Sequence, residues 1–300
     1  MERRHFLQLA AAGIPAVVFP YGKAIAGSNE PTSLLPPKVK ISLNAYSFNR
    51  PLMAGDMSIN DMLDFAAQTG FEGVDITGYY FPAYPAVPTD EYIYHVKRHA
   101  FKLGIEICGT GVRNDFTLPD ASKRADEKKL IKEWIVVAAK LGAQTLRIFT
   151  GGRGTPEGYT WEQTADWMAA DIRECGEYGK QHGVMIALQN HWDFLKTGDE
   201  TVNLFKKINS EWVGLMLDIG SYRSADPFAE IAQTIPLAIT WQVKEDMYIN
   251  NKPVKTDLDR LKKIIDASNF RGYLPIETLG EGDPKQKIAF MFAEVKKRFG

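Results

Sequence analysis

Val213-Gly214-Leu215-Met216-Leu217-Asp218 decides how the whole chain is read. Its five uncharged residues lack the polar-apolar alternation of a half-exposed strand, and the run stops at a carboxylate. A strand of this kind is buried on both faces, as in a parallel sheet covered by helices. Outward from it lie seven more apolar runs, at 39–46, 73–77, 105–108, 145–149, 184–189, 238–243 and 273–277. The starts of the eight runs average about 33 residues apart, room for one strand, one helix and two short loops each time.

The segments between the runs have helical period. Residues 61–68 set Met62, Phe65 and Ala66 on one face, and 127–141 carries Leu130, Trp134, Val137 and Leu141 at helical spacing before Gly142. Eight strand-helix pairs in one α/β chain predict a closed (β/α)8 TIM barrel, a single domain over 39–300. No glycine fingerprint for a dinucleotide follows the first run, which continues Asn44-Ala45-Tyr46-Ser47-Phe48.

Composition agrees with a globular enzyme-sized domain. Of 300 residues 45% are hydrophobic and 24% charged, and 36 Lys+Arg against 37 Asp+Glu give a formal charge of -1. Such a balance excludes a disordered chain and offers no footprint for nucleic acid. The basic cluster Lys296 to Arg298 reads as the solvated end of a helix.

Before the first run stands Arg3-Arg4-His5-Phe6-Leu7, then a weakly apolar stretch and Ala24-Ile25-Ala26. That order of charge, apolar stretch and small residues predicts a twin-arginine-type export signal over 1–26 and a tether over 27–38. The mature chain is then expected in the periplasm or otherwise outside the cytoplasm, with no membrane attachment. Its two cysteines, Cys108 and Cys175, read as separate semi-buried thiols.

In a barrel of this kind chemistry collects at the C-terminal strand ends. The polar residues there are Asn44, Asp75, Arg147, then Gln189-Asn190-His191, Asp218, Gln242 with Lys244-Glu245, and Glu277. Ala187-Leu188-Gln189-Asn190-His191, Leu217-Asp218-Ile219-Gly220, Gln242-Val243-Lys244-Glu245 and Leu274-Pro275-Ile276-Glu277 together resemble the xylose-isomerase-like TIM-barrel superfamily of sugar isomerases and epimerases. The resemblance implies a divalent metal held at strands five to eight, on Gln189, Asp218, Gln242 and Glu277. It also implies a carbohydrate substrate and, since such barrels often pair, a homo-oligomer.

The departures bear on mechanism. Where the family usually has Glu at strand five and His at strand seven, this chain has Gln189 and Gln242. Two carboxylates and two amide oxygens form a hard-oxygen set, favouring Mn, Mg or Ca over Zn. The alternative is a metal-free pocket whose amides hydrogen-bond sugar hydroxyls directly. Gln189 cannot accept a proton, so epimerisation by two glutamate bases is in doubt. One base suffices for another route. Glu277 takes the proton beside a carbonyl, Lys244 or a metal stabilises the enediolate, and His191 acts as acid. Isomerisation or β-elimination from a 3-keto-glycoside then follows, on a sugar without phosphate; a non-catalytic sugar-binding barrel is the remaining reading.

Other residues fill out the expected pocket. Arg223, in Ser221-Tyr222-Arg223, is a clamp for an anion or vicinal diol. Trp192 and Trp241, with the aromatic run from Tyr79, are platforms for apolar sugar faces, and Glu245 and Asn190 add polar contacts. Gly151-Gly152-Arg153-Gly154 reads as a turning loop, and His95 with His99 as an outer helix face.

Overall fold

The computed structural model of the chain describes residues 38–152 and 154–300. The export signal expected at 1–26, and all but the last residue of the tether, lie outside the described residues. The barrel strands are β1 (Lys38–Asn44), β2 (Gly73–Thr77), β3 (Glu106–Gly111), β4 (Thr145–Phe149), β5 (Met185–Gln189), β6 (Val213–Asp218), β7 (Ala238–Lys244) and, after a hairpin of β8 (Asp246–Ile249) and β9 (Lys252–Lys255), β10 (Arg271–Glu277). They close in the order β1-β10-β7-β6-β5-β4-β3-β2, every barrel pair parallel. The predicted eight-stranded α/β barrel is what the chain forms.

The helices that cover it start where side chains satisfy the free N–H groups of their first turns. A short helix, α1 (Asn49–Ala54), precedes α2 (Ile59–Thr69), where Ser58 and Asp61 form a capping box. There follow α3 (Asp90–Lys102), α4 (Ala121–Leu141), α5 (Trp161–His182), α6 (Gly198–Ile208), α7 (Pro227–Thr234), α8 (Leu258–Asp266) and α9 (Pro284–Phe299). Helix α4 begins six residues ahead of the apolar period, because Asp120 caps it through Ser122 N. Its first two turns are polar, and Arg124 there pairs with Asp171 of α5 at 2.7 Å. Beyond its last residue Gly142 takes φ +83°, a conformation that other residues adopt only with strain.

The hairpin was not foreseen. Asn250 and Asn251 both have positive φ, as a two-residue hairpin turn requires, and that Asn-Asn pair is the signal for it.

Side chains alternate along each strand, and the alternation sorts core from site. On β7, Trp241 is fully buried outside the barrel against Phe270, while Gln242 and Lys244 turn inward. Register sets the inward groups beside each other: Asp218 pairs with Gln242 and Glu277 with Lys244. Cys108 and Cys175 are buried free thiols, and burial pushes the Cys175 thiol up to about 12. His95 and His99 lie on α3, bonded to Asn60 and Asp64 of α2. Among the described residues no helix is long and apolar enough to cross a membrane.

Candidate active site

A cavity of about 310 Å³ opens at the C-terminal strand ends. Asn44, Arg147, Gln189, His191, Gln242, Lys244 and Glu277 line it, as the sequence predicts. Its volume suits a small ligand such as a monosaccharide.

At its floor lies an ion cluster. The Lys244 ammonium is 2.8 Å from Asp218 Oδ2 and 3.2 Å from Glu277 Oε2. Gln189 Nε2 donates to the same Asp218 oxygen at 2.8 Å, and Gln242 Nε2 donates to the same Glu277 oxygen. The other Asp218 oxygen accepts Gly220 N at 2.9 Å. Burial alone would push the Lys244 amine toward neutrality, but the Asp218 and Glu277 charges outweigh it and hold the group above the ordinary lysine range. Lys244 is therefore a fixed cation, not a neutral nucleophile or base.

These four residues were expected as metal ligands, and the donor set does not fit that role. Both amides present N–H groups, not oxygens, to the carboxylates, and an ammonium lies between the two acids. A divalent ion would have to expel the ammonium and turn both amides round. No group of three or more His, Cys, Asp or Glu among the described residues is placed to hold a metal.

His191 stands above the cluster. Its Nδ1 is 2.9 Å from Asp193 Oδ2, and its ring meets Phe149 edge to face. A carboxylate at Nδ1 fixes the tautomer and leaves Nε2 as the working nitrogen. Asp193 was missed in the sequence, although His-x-Asp spacing was there to be read.

Arg147 crosses the cavity's far side. It donates to Val112 O at 2.7 Å and to Tyr79 Oη at 3.1 Å, over the Phe149 ring. A Cβ on Gly111 would fall 2.8 Å from its Nε, so glycine there makes room for the guanidinium. Arg113 and Asn114 also line the wall; they follow a strand ending Gly109-Thr110-Gly111, which gave no polar signal.

Three expected contacts are placed elsewhere. Asn190 is fully buried, its Nδ2 bonded to Asp218 O and its Oδ1 to Asp218 N, so it fastens β5 to β6 and lines neither cavity. Trp241 faces the helices. Asp75 is buried below the cavity floor, outside its lining; burial, partly offset by Arg147, raises its carboxyl to about 6.

Arg223, Trp192 and Glu245 instead line an adjoining cavity of about 260 Å³, which shares His191, Lys244, Glu277 and Leu279 with the first. The aromatic run after β2 divides: Tyr79 lines the main cavity and Phe81 joins the core.

Comparison with solved structures gives the same barrel. A D-psicose 3-epimerase with D-fructose matches at TM-score 0.72 and 14% identity, covering 87% of this chain and 99% of that one. A 3-keto-D-glucoside 4-epimerase from E. coli matches at 0.71 and 14%, covering 87% and 100%. A probable 3-DHS dehydratase from Bacillus anthracis matches at 0.64 and 19%, covering 86% and 97%. At these identities the likeness is one of fold. No curated protein sequence matches the chain. Residues 63–293 match the xylose isomerase-like TIM barrel family model, and the chain belongs to that family.

Proposed function

We propose that the chain is a sugar isomerase or epimerase-like enzyme that removes a proton beside a carbonyl, with Lys244 supplying the positive charge. The observation that carries this reading is the Lys244 ammonium 3.2 Å from the buried Glu277 carboxylate, both facing the main cavity. A keto-sugar carbon presented to Glu277 gives its proton to the carboxylate, and the C–H electron pair moves onto the carbonyl oxygen. The oxyanion that forms is met by a preorganised, largely buried ammonium, and such a charge acts more strongly there than in water.

One carboxylate base is available on this face, because the Gln189 amide cannot accept a proton. His191, oriented by Asp193, is the second proton-handling group. Returning the proton at the neighbouring carbon gives isomerisation. The His191–Asp193 pair also favours a second reading, β-elimination with His191 protonating the leaving oxygen of a 3-keto-glycoside. An export-type N-terminus supports a substrate without phosphate.

The test is proton exchange in D2O, followed by NMR on D-fructose, D-psicose and a 3-keto-glucoside. Wash-in of deuterium beside the carbonyl, lost in Glu277→Gln while ligand binding persists, supports the enzyme. No exchange on any of the three, with binding retained, would leave a sugar-binding barrel.

A further inference from the structure

The cavity beside the proton-transfer site is lined by a guanidinium that makes no direct ion pair among the described residues. The Arg223 guanidinium lies over the ring of Trp192 at 4.3 Å and over that of Tyr248 of β8 at 4.2 Å. Its Nε is buried without a hydrogen-bond partner. Among the described residues Arg223 makes no ion pair.

The three carboxylates lining this cavity all pair with lysines rather than with Arg223. Glu245 pairs with Lys287 at 3.0 Å, Asp246 with Lys255 at 2.9 Å, and Glu277 with Lys244. Of the two cations that line this cavity, Lys244 is ion-paired and Arg223 is not. The clamp is also held in place before any ligand arrives: the hairpin tip is tied to the Arg223 loop by Asn250 N to Ser224 O at 2.8 Å and Asn251 N to Arg223 O at 3.2 Å.

The loop geometry selects among anions. Phosphate sites usually add a fan of free backbone N–H groups. Here Ile219 N, Gly220 N and Ser221 N are spent on Gln242 O, Asp218 Oδ1 and Asp218 O. A planar fork with no backbone cradle matches a planar carboxylate.

We propose that Arg223 is the anchor for a carboxylate on the substrate, so that the preferred substrates are keto sugars bearing an acid group, such as uronates. This rests on the proton-transfer reading for its location, since the shared wall puts the anchored sugar against Glu277, but binding tests it without turnover. The matched probes are D-fructuronate and D-fructose, which differ only in a terminal carboxylate, with D-fructose 6-phosphate as the phosphate arm. Affinities are measured by calorimetry on wild type, Arg223→Met and Arg223→Lys, each checked for folding by near-UV dichroism.

Wild type is expected to bind the acid at least about tenfold more tightly than D-fructose. Arg223→Met should bring that ratio close to one, and Arg223→Lys should recover only part of it. A wild-type ratio near one, a ratio unchanged in Arg223→Met, tighter binding of the phosphate than of the acid, or binding of none of the three would each overturn the proposal. Failure of proton exchange with the acid preference intact would instead count against the enzyme reading alone.

Discussion

Gly220 and Lys244 are fitted to one another: a Cβ on residue 220 would fall 2.9 Å from Lys244 Cδ. The glycine is needed for space, since the lysine stem must pass the β6 loop to put its ammonium between two acids. Gly220→Ala should push the stem aside at a cost of about 1–3 kcal/mol, the usual penalty for overpacking. Urea unfolding measures the loss, and proton exchange should fall with it. A variant of unchanged stability and rate would show that the stem has another path.

Lys244→Met leaves Asp218 and Glu277 buried with no cation between them. Breaking a buried ion cluster on one side typically costs about 3–5 kcal/mol. The triple variant Asp218→Asn, Lys244→Met, Glu277→Gln removes all three charges and should regain most of that stability while remaining inactive in exchange. A single variant as stable as wild type would remove the ammonium from its place between the acids.

Asp75 makes the fold less stable as pH rises. Its carboxyl keeps a proton to about pH 6 when folded, against an ordinary value of 3.8. Between these values the native state binds more protons than the unfolded state, so stability falls with rising pH and levels off above about 6. The gap corresponds to roughly 3 kcal/mol. Asp75→Asn should therefore gain on wild type by about that amount between pH 4 and pH 7, read as the difference between their unfolding free energies. A difference that does not change with pH would contradict the assigned burial.

Asn190 predicts a separation of effects. Replacing it by Ala orphans the N–H of Asp218 inside the protein, at about 1–3 kcal/mol, and leaves the Asp218 C=O with Ser221 N alone. Because Asn190 lines neither cavity, kcat should fall through misplacement of Asp218 and Lys244 while KM stays within about twofold. A rise in KM alone would return Asn190 to the substrate contacts.

The barrel was legible because its evidence is repetitive: eight apolar runs, each followed by room for a helix, at an average spacing of about 33 residues. The inward strand-end residues were legible for the same reason, since each lies at the end of a run. Asn190 and Trp241 were misread because being near a strand end does not say which way a side chain turns. Strand alternation sends Trp241 outward, and the backbone of Asp218 takes up Asn190. The ion cluster was hidden for a different reason. Gln189, Asp218, Gln242 and Glu277 were read as converging on an external ion, whereas Lys244, two residues beyond Gln242 and on the same face, supplies the charge from within. Tyr248 was out of reach because the hairpin that carries it follows β7, where the period called for a helix.

A cation that belongs to strand β7 has consequences for the setting in which the protein works. A bound ion is present only in proportion to its concentration and affinity, and any competing ligand in the medium draws it away. The Lys244 charge is tethered by its own side chain, so its effective concentration between Asp218 and Glu277 is set by the fold and is indifferent to dilution. That independence has a mechanical counterpart: a tethered charge reaches only as far as its four-carbon stem, so the substrate must come to the lysine.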